Sequence, residues 1–393
     1  MAVASPSRLV LTTLFPSQPL RFPMSDLEIL FEQQGPLGII TLNRPKALNA
    51  LNLPMIRAMM PQMTTWAGDD SIKAVIIRGA GGKAFCAGGD VKSVYYDGLA
   101  AKKGEGDGAL TRDFFREEYQ LNQAIYKFPK PYIALIDGIT MGGGVGLSVH
   151  GSHRIATEKT MLAMPETAIG LFPDVGATYA LARCPGEMGA YLALTGDRLG
   201  AADALYGKLA THHVPSDKID DLLEDLKTAN WDDAPKGHER SFTDAIIERH
   251  ATDAGEAKIP ALQEAIDQAF GADSVEEIII ELTTMTGGNG PIADWARETL
   301  ITMGQRSPTS MKIAFEQLQR GTAMDLESCL VMEYRMTQGC MAGNDFYEGI
   351  RAVLVDKDHT PAWMPDMLSE VTPDLVARHF APLGDRELTF PKD

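Results

Sequence analysis

The feature that most constrains this chain is an alternation that stops. From residue 27 to about residue 213, short apolar runs alternate with stretches of helical spacing, and beyond that point strand-like runs nearly vanish. Residues 27–33 alternate apolar and polar, 38–42 follow a Gly-Pro turn as a short apolar strand, and 74–79 read as a strand buried on both faces. A helix is expected just after Asn49, over 51–66, and another over 114–126. Residues 131–137 are β-rich, and 141–150 pass from a triple-glycine turn into a helix. The Gly-rich, charged stretch 97–110 reads as a mobile loop over whatever lies beneath. After residue 213, stretches at 216–226, 241–250, 260–269, 275–284, 291–302, 307–319 and 326–342 all have helical patterning. The expected class is therefore α/β with an extended C-terminal helical region. No period of the solenoid kind is present.

Composition narrows the function classes. A net charge of −17 argues against non-specific attraction to nucleic acid or to an anionic membrane, while a local cationic patch remains able to hold phosphate. The most apolar stretch, 132–149, contains Asp137 and five glycines, which suits a strand and turn rather than a membrane span. Cys86, Cys184, Cys329 and Cys340 lack CxxC spacing and a histidine cluster, so a reducing compartment is the simpler reading. His150 with His153, and His212 with His213, lack a third ligand nearby, so no metal is assigned. The first 25 residues carry Arg8 and Arg21, four serines and no acid. That composition fits a transit peptide, whereas Pro6, Pro16 and Pro19 would break its helix and Met24 offers an alternative start. Residues 1–24 are thus a leader or a mis-assigned start, 25–213 the catalytic core and 214–393 the helical region.

Three segments suggest chemistry. KAFCAGGD (83–90) and ITMGGGVGL (139–147) are glycine-rich turns after strand-like runs, where backbone N–H groups can approach a ligand without side-chain obstruction. Neither meets the dinucleotide or P-loop spacing, and each alone is better explained as a tight turn. In MPETAIGLFPDVGA (164–177), Glu166 and Asp174 sit among apolar neighbours that would raise a carboxyl pKa toward proton-transfer work. Their plain alternatives are a first-turn helix residue after Pro165 and a turn former after Pro173. Carboxylates and N–H donors around one carbonyl are what acyl chemistry requires.

The segments LNRPKALNAL (42–51), KAFCAGGDVK (83–92), GITMGGGVGL (138–147) and MPETAIGLFPDVG (164–176) resemble the crotonase, or enoyl-CoA hydratase/isomerase, superfamily. The likeness extends through FFREEY (114–119), SVHGSHRIATEK (148–159), LTGDRL (194–199), ATHHV (210–214) and MEYRMTQGCMAGNDFYEGIRAVLVDKD (332–358), with 220–290 weakly informative. It implies a crotonase-like spiral of repeated ββα units. It also implies an acyl-CoA substrate, with CoA part of that substrate and no separate cofactor. The N–H groups of Gly89 and Gly143 would polarise the thioester carbonyl, and Gly89, Asp90, Val91 and Lys92 would lie along the bound acyl-CoA. Arg44, Lys46, Lys83 and Lys92 are candidates for its phosphates, or surface charges.

Hydratases of this superfamily use two glutamates, and the first of those positions is Gly146 here, which removes half of the acid/base pair. Glu166 occupies the second, Asp174 matches the additional carboxylate of the hydrolase subgroup, and Glu118 falls at the hydroxyacyl end. A surface charge paired with Arg116 or Lys127 is the alternative for Glu118. The resemblance therefore implies hydrolysis of a 3-hydroxyacyl-CoA thioester, 3-hydroxyisobutyryl-CoA above all, as in valine breakdown. Hydration or isomerisation of another acyl-CoA, and a non-catalytic protein that keeps the fold for packing, are the rivals. The implied location is the mitochondrial matrix in a eukaryote and the cytoplasm in a bacterium. The helical extension would serve a homo-oligomer or pack on its own core.

Overall fold

The computed structural model describes residues 27–391; the proposed leader, 1–24, lies outside them. A hairpin opens the fold, β1 (Ile29–Gln34) antiparallel to β2 (Leu37–Leu42). The first helix, α1 (Leu53–Gly68), begins later than expected. Asn49 is no cap: it is fully buried at φ 58°, and its side chain accepts from Arg44 N–H and donates to the carbonyls of Ala80 and Ala84. A residue that short and polar tolerates the left-handed turn, so the helix waits for Asn52, which accepts from Met55 N–H.

The chain then contributes alternately to two sheets. The elements run β3 (Ala74–Gly79), β4 (Ala84–Cys86), α2 (Val91–Lys102), α3 (Ala109–Tyr126), β5 (Tyr132–Ile136), β6 (Ile139–Met141), α4 (Gly143–Val149), β7 (His153–Ala156) and β8 (Met161–Ala163). After them come α5 (Ala177–Leu181), α6 (Met188–Thr195), α7 (Ala201–Tyr206) and β9 (His212–His213). The six-stranded sheet has the order β1-β2-β3-β5-β7-β9, parallel from β2 onward, and β4-β6-β8 form a second parallel sheet. Successive strand pairs thus wind as a spiral. Side chains alternate between the two faces of each strand: in β5, Ala134 and Ile136 join the main core while Ile133 and Leu135 face outward. The outward face is covered by α8 (Ile219–Thr228) and α9 (Glu239–Ile247) through Leu222, Leu226, Ile246 and Ile247.

The rest is helical: α10 (Ile259–Phe270), α11 (Val275–Met285), α12 (Pro291–Met303), α13 (Pro308–Gly321), α14 (Leu326–Ala342), α15 (Asp345–Ile350) and α16 (Pro373–His379). Helix α14 packs on α3 and α13 on α5 and α6, so these helices share the main core. Among the described residues no helix is long and apolar enough to cross a membrane. All four cysteines are free and buried.

Residues 97–110 are not a mobile loop. Helix α2 runs through to Lys102 and α3 starts at Ala109, leaving only a short turn. Gly98, one of the glycines of that stretch, lets α2 approach α15: a Cβ there would collide with the Tyr347 hydroxyl. Asp97 ties the two helices by accepting from Thr111 N–H and Oγ1, and Lys102 Nζ donates to Gly343 O and lies over the Tyr347 ring. Tertiary packing overrides the glycine's low helix propensity.

Candidate functional site

A cavity of about 290 Å³ lies where the ends of β4 and β6, α3 and the segment after β8 meet. It collects Gly89, Val91, Glu118, Gly143, Glu166 and Asp174, which the sequence scatters over 86 positions. Asp90 and Lys92 stand outside its lining. Asp90 caps α2 by accepting from Ser93 N–H and pairs with Arg44 at 3.0 Å; Lys92 is exposed. Arg44 is also engaged by Glu28 and by the Ala50 carbonyl, whereas Lys46, Lys83 and Lys92 have no ion pair among the described residues.

The two glycine turns interlock. Leu51 N–H donates to Gly88 O and Asp90 N–H to Leu51 O, which grips the residues either side of Gly89 and leaves its own N–H unused. Gly143 opens α4, where the first N–H groups have no partner within the helix. Among the described residues neither N–H donates elsewhere. A Cβ on Gly143 would stand 3.2 Å from Gly89 N and 2.6 Å from Glu118 Oε1, so both donors and a carboxyl converge on one spot that any side chain would fill. Gly142 is at φ 46°, and a Cβ there would meet Glu166 Oε1 at 2.9 Å.

Three carboxyls face this spot, and none has a cation partner among the described residues. Glu118 is 2% exposed and belongs to no surface pair. Arg116 instead donates to the carbonyls of Arg386 and Glu387, and Lys127 pairs with Glu327. Glu118 Oε1 and Glu166 Oε2 have no hydrogen-bond partner among the described residues. Asp174 Oδ2 accepts from the Tyr119 hydroxyl at 2.7 Å. Burial, then the charge of Asp174 and that of Glu166, pushes Glu118 well above the ordinary carboxyl range. Burial and the neighbouring Asp174 do the same to Glu166. Burial pushes Asp174 up to about 7 against the opposing pull of the Tyr119 hydrogen bond. Asp174, the one of the three with a side-chain donor, is thus the one best able to hold the negative charge.

Gly146 sits behind this wall with no room for a side chain. Its Cβ would lie 2.7 Å from Val175 Cβ and 2.8 Å from Asn122 Nδ2. A glutamate at this position is excluded sterically. The structure also adds residues that carried no assignment from the sequence: Tyr119, the apolar wall of Phe114 and Phe115, and Val353 and Leu354 of the π turn Arg351–Val355, which close the cavity from the C-terminal region. The aromatic pair in FFREEY was the available signal; nothing local marks Val353 or Leu354.

The histidines are used structurally. His150 Nε2 donates to Val175 O at 2.7 Å, and burial holds its pKa down to about 4, so the ring is neutral. His153 and His212 stack and share Asp244.

Comparison with known proteins agrees with this architecture. Residues 37–380 match the family described as enoyl-CoA hydratase/isomerase. Proteins named 3-hydroxyisobutyryl-CoA hydrolase, mitochondrial, are similar to this chain: that of Xenopus tropicalis is 49% identical over 93% of this chain and 91% of its own length. The human one is 47% identical over 92% and 91%. Among solved structures, a carnitinyl-CoA dehydratase from Mycobacterium thermoresistibile superposes with a TM-score of 0.83 at 38% identity, covering 93% of this chain and 99% of that one. An enoyl-CoA hydratase from Rhodobacter sphaeroides gives 0.82 at 39%, covering 93% and 100%. With the spiral of strand pairs, the paired glycine turns and a match spanning both the sheets and the helices, the chain belongs to the enoyl-CoA hydratase/isomerase family.

Proposed function

We propose that this protein hydrolyses the thioester of 3-hydroxyisobutyryl-CoA to 3-hydroxyisobutyrate and CoA, the reaction named for its relatives at 47–49% identity. The observation that favours hydrolysis over hydration is the filled space at Gly146, which denies the site the second glutamate that water addition to a double bond employs in this family. The reaction would belong to valine breakdown, and the word mitochondrial in the relatives' names supports a mitochondrial setting in a eukaryotic source. CoA enters as part of the substrate and no further cofactor is assigned. The exposed Lys46, Lys83 and Lys92 are the cations available to its phosphates.

In this mechanism Gly89 and Gly143 N–H groups hold the thioester oxygen and stabilise the charge it gains, each by ~3 kcal/mol. Glu118 Oε1, buried without a partner, takes the substrate's 3-hydroxyl; leaving such an atom unpaired costs about 1–3 kcal/mol, which penalises acyl groups lacking the hydroxyl. Glu166 carries out the displacement. As a nucleophile it forms a C–O bond to the carbonyl carbon, the C–S bond breaks, CoA leaves as thiolate and water opens the mixed anhydride. As a general base it takes a proton from the attacking water instead. Label in the Glu166 carboxyl after a single turnover in ¹⁸O water identifies the first route, with water attacking the anhydride at the Glu166 carbonyl, since the general-base route puts the water oxygen only in the product. Asp174, held by Tyr119, orients substrate or water and, by its charge, keeps Glu166 basic.

The test of the reaction class offers 3-hydroxyisobutyryl-CoA and crotonyl-CoA side by side. Thiol release from the first without loss of enoyl absorbance from the second is expected. Loss of that absorbance with no thiol release would overturn the hydrolase reading.

A further inference from the structure

Glu333, on α14, is a fully buried carboxylate that no step above uses. It has no cation partner among the described residues, and burying a carboxylate in that state is expensive. Its three hydrogen bonds all go to one short segment. Oε2 accepts from Gly176 N–H at 2.6 Å, and Oε1 accepts from Thr178 N–H at 2.9 Å and from the Thr178 hydroxyl at 2.5 Å.

That segment carries Asp174, and its backbone is under strain. Val175 is at φ 57°, a left-handed conformation that a β-branched residue rarely adopts, and Gly176 follows at φ 80°. Such a geometry persists only when its surroundings over-determine it. Gln317 of α13 donates to Pro173 O at 2.6 Å and to the Thr178 hydroxyl at 2.5 Å, and His150 donates to Val175 O. The residues on both sides of Asp174 are thus tied down, mainly from the C-terminal helices.

We infer that Glu333 is a positioning residue: together with Gln317 it clamps the strained 173–178 turn so that the Asp174 carboxylate stays on Tyr119 and inside the acyl cavity. This rests on the role proposed above for Asp174. An amide in place of the carboxylate would turn an N–H₂ group toward the backbone N–H of Gly176 or Thr178, setting donor against donor, so Glu333→Gln releases the turn without changing its volume.

The experiment is a double-mutant cycle on thiol release from 3-hydroxyisobutyryl-CoA, using the full chain and recording the thermal midpoint of each variant. Glu333→Gln should lower kcat by about tenfold or more with KM changed less than about twofold, and in an Asp174→Asn background it should change kcat by less than about twofold. A folded Glu333→Gln protein with wild-type kcat, or an equal loss in both backgrounds, overturns the inference, because a merely structural carboxylate would act independently of Asp174. Full activity in Asp174→Asn alone would instead overturn the reading of Asp174. Should Glu333→Gln not fold, Gln317→Met, which removes only the Pro173 and Thr178 contacts of the clamp, must show the same split; its absence overturns the inference too.

Discussion

The two halves of the acyl cavity are built by opposite means. The donor half, Gly89 and Gly143, is made of backbone within the strand-rich part of the chain, Gly89 gripped through the Leu51 hydrogen bonds to its neighbours and Gly143 at the start of α4. The acid half, Glu118, Glu166 and Asp174, is made of side chains in an apolar enclosure, with Asp174 braced by helices more than a hundred positions away. The donors cost little to keep, since unpaired N–H groups at a helix start are tolerated where a ligand or water can reach them. The acids are kept against their own desolvation and mutual repulsion. A site of this kind stores its electrostatic strain on one side only.

The largest effect should come from the strained side. Glu166→Gln is expected to reduce kcat for thiol release by about 10³-fold while acyl-CoA still binds, checked by steady-state kinetics and calorimetry with a non-hydrolysable thioether. Full activity would move the displacement to another residue.

Breaking the other side should cost less. Gly143→Ala puts a methyl group 2.6 Å from Glu118 Oε1 and leaves both N–H groups in place, so kcat should fall about 10²-fold through displaced geometry. A loss as large as that of Glu166→Gln would mean that the two halves are not separable.

The smallest effect is on stability, and it has the opposite sign. Because the native pKa of each buried acid is raised above its unfolded value, stability is greatest below the ordinary carboxyl range and falls as pH climbs from there to the raised native values, about 7 for Asp174. Glu118→Gln should therefore raise stability by about 1–3 kcal/mol at pH 8 and by nearly nothing at pH 4, measured by denaturant titration. Glu118→Leu, which removes the polar atom altogether, should erase the preference for 3-hydroxyisobutyryl-CoA over isobutyryl-CoA that Glu118→Gln keeps in part. An equal shift at both pH values would refute desolvation as the cause.

This division also governs what was readable in the sequence. The two glycine turns stood out because glycine clusters after apolar runs are local signals, and the family likeness then singled out Gly89 and Gly143 within them. Glu166, an acid among Met, Pro and Ile, was visible but explicable as a first-turn helix residue until the glycine turns and the family likeness gave it a role. Gly98 misled for the complementary reason: its glycine serves a contact with Tyr347, 249 residues on, so a helix read as a loop. Tyr119 and Glu333 act across separations of 55 and about 155 residues, which no window of sequence contains. Glu333 did leave a faint trace, since Cys329, Leu330, Thr337 and Cys340 put it in the middle of an apolar helical face. The spiral itself was legible through the family likeness, while the shared core that joins the late helices to the sheets depends on packing that only the folded chain displays.

The four buried thiols have a practical corollary. Burial pushes Cys86, Cys184 and Cys329 up to about 12 and raises Cys340 as well. A thiol with that pKa is ionised to only ~1 part in 10,000 at pH 8, and the thiolate is the attacking species in disulfide exchange. A chromogenic aromatic disulfide added to the native enzyme should therefore stay colourless until free CoA appears. On denaturation the same reagent should register four equivalents per chain, so one dye counts both turnovers and unfolded molecules.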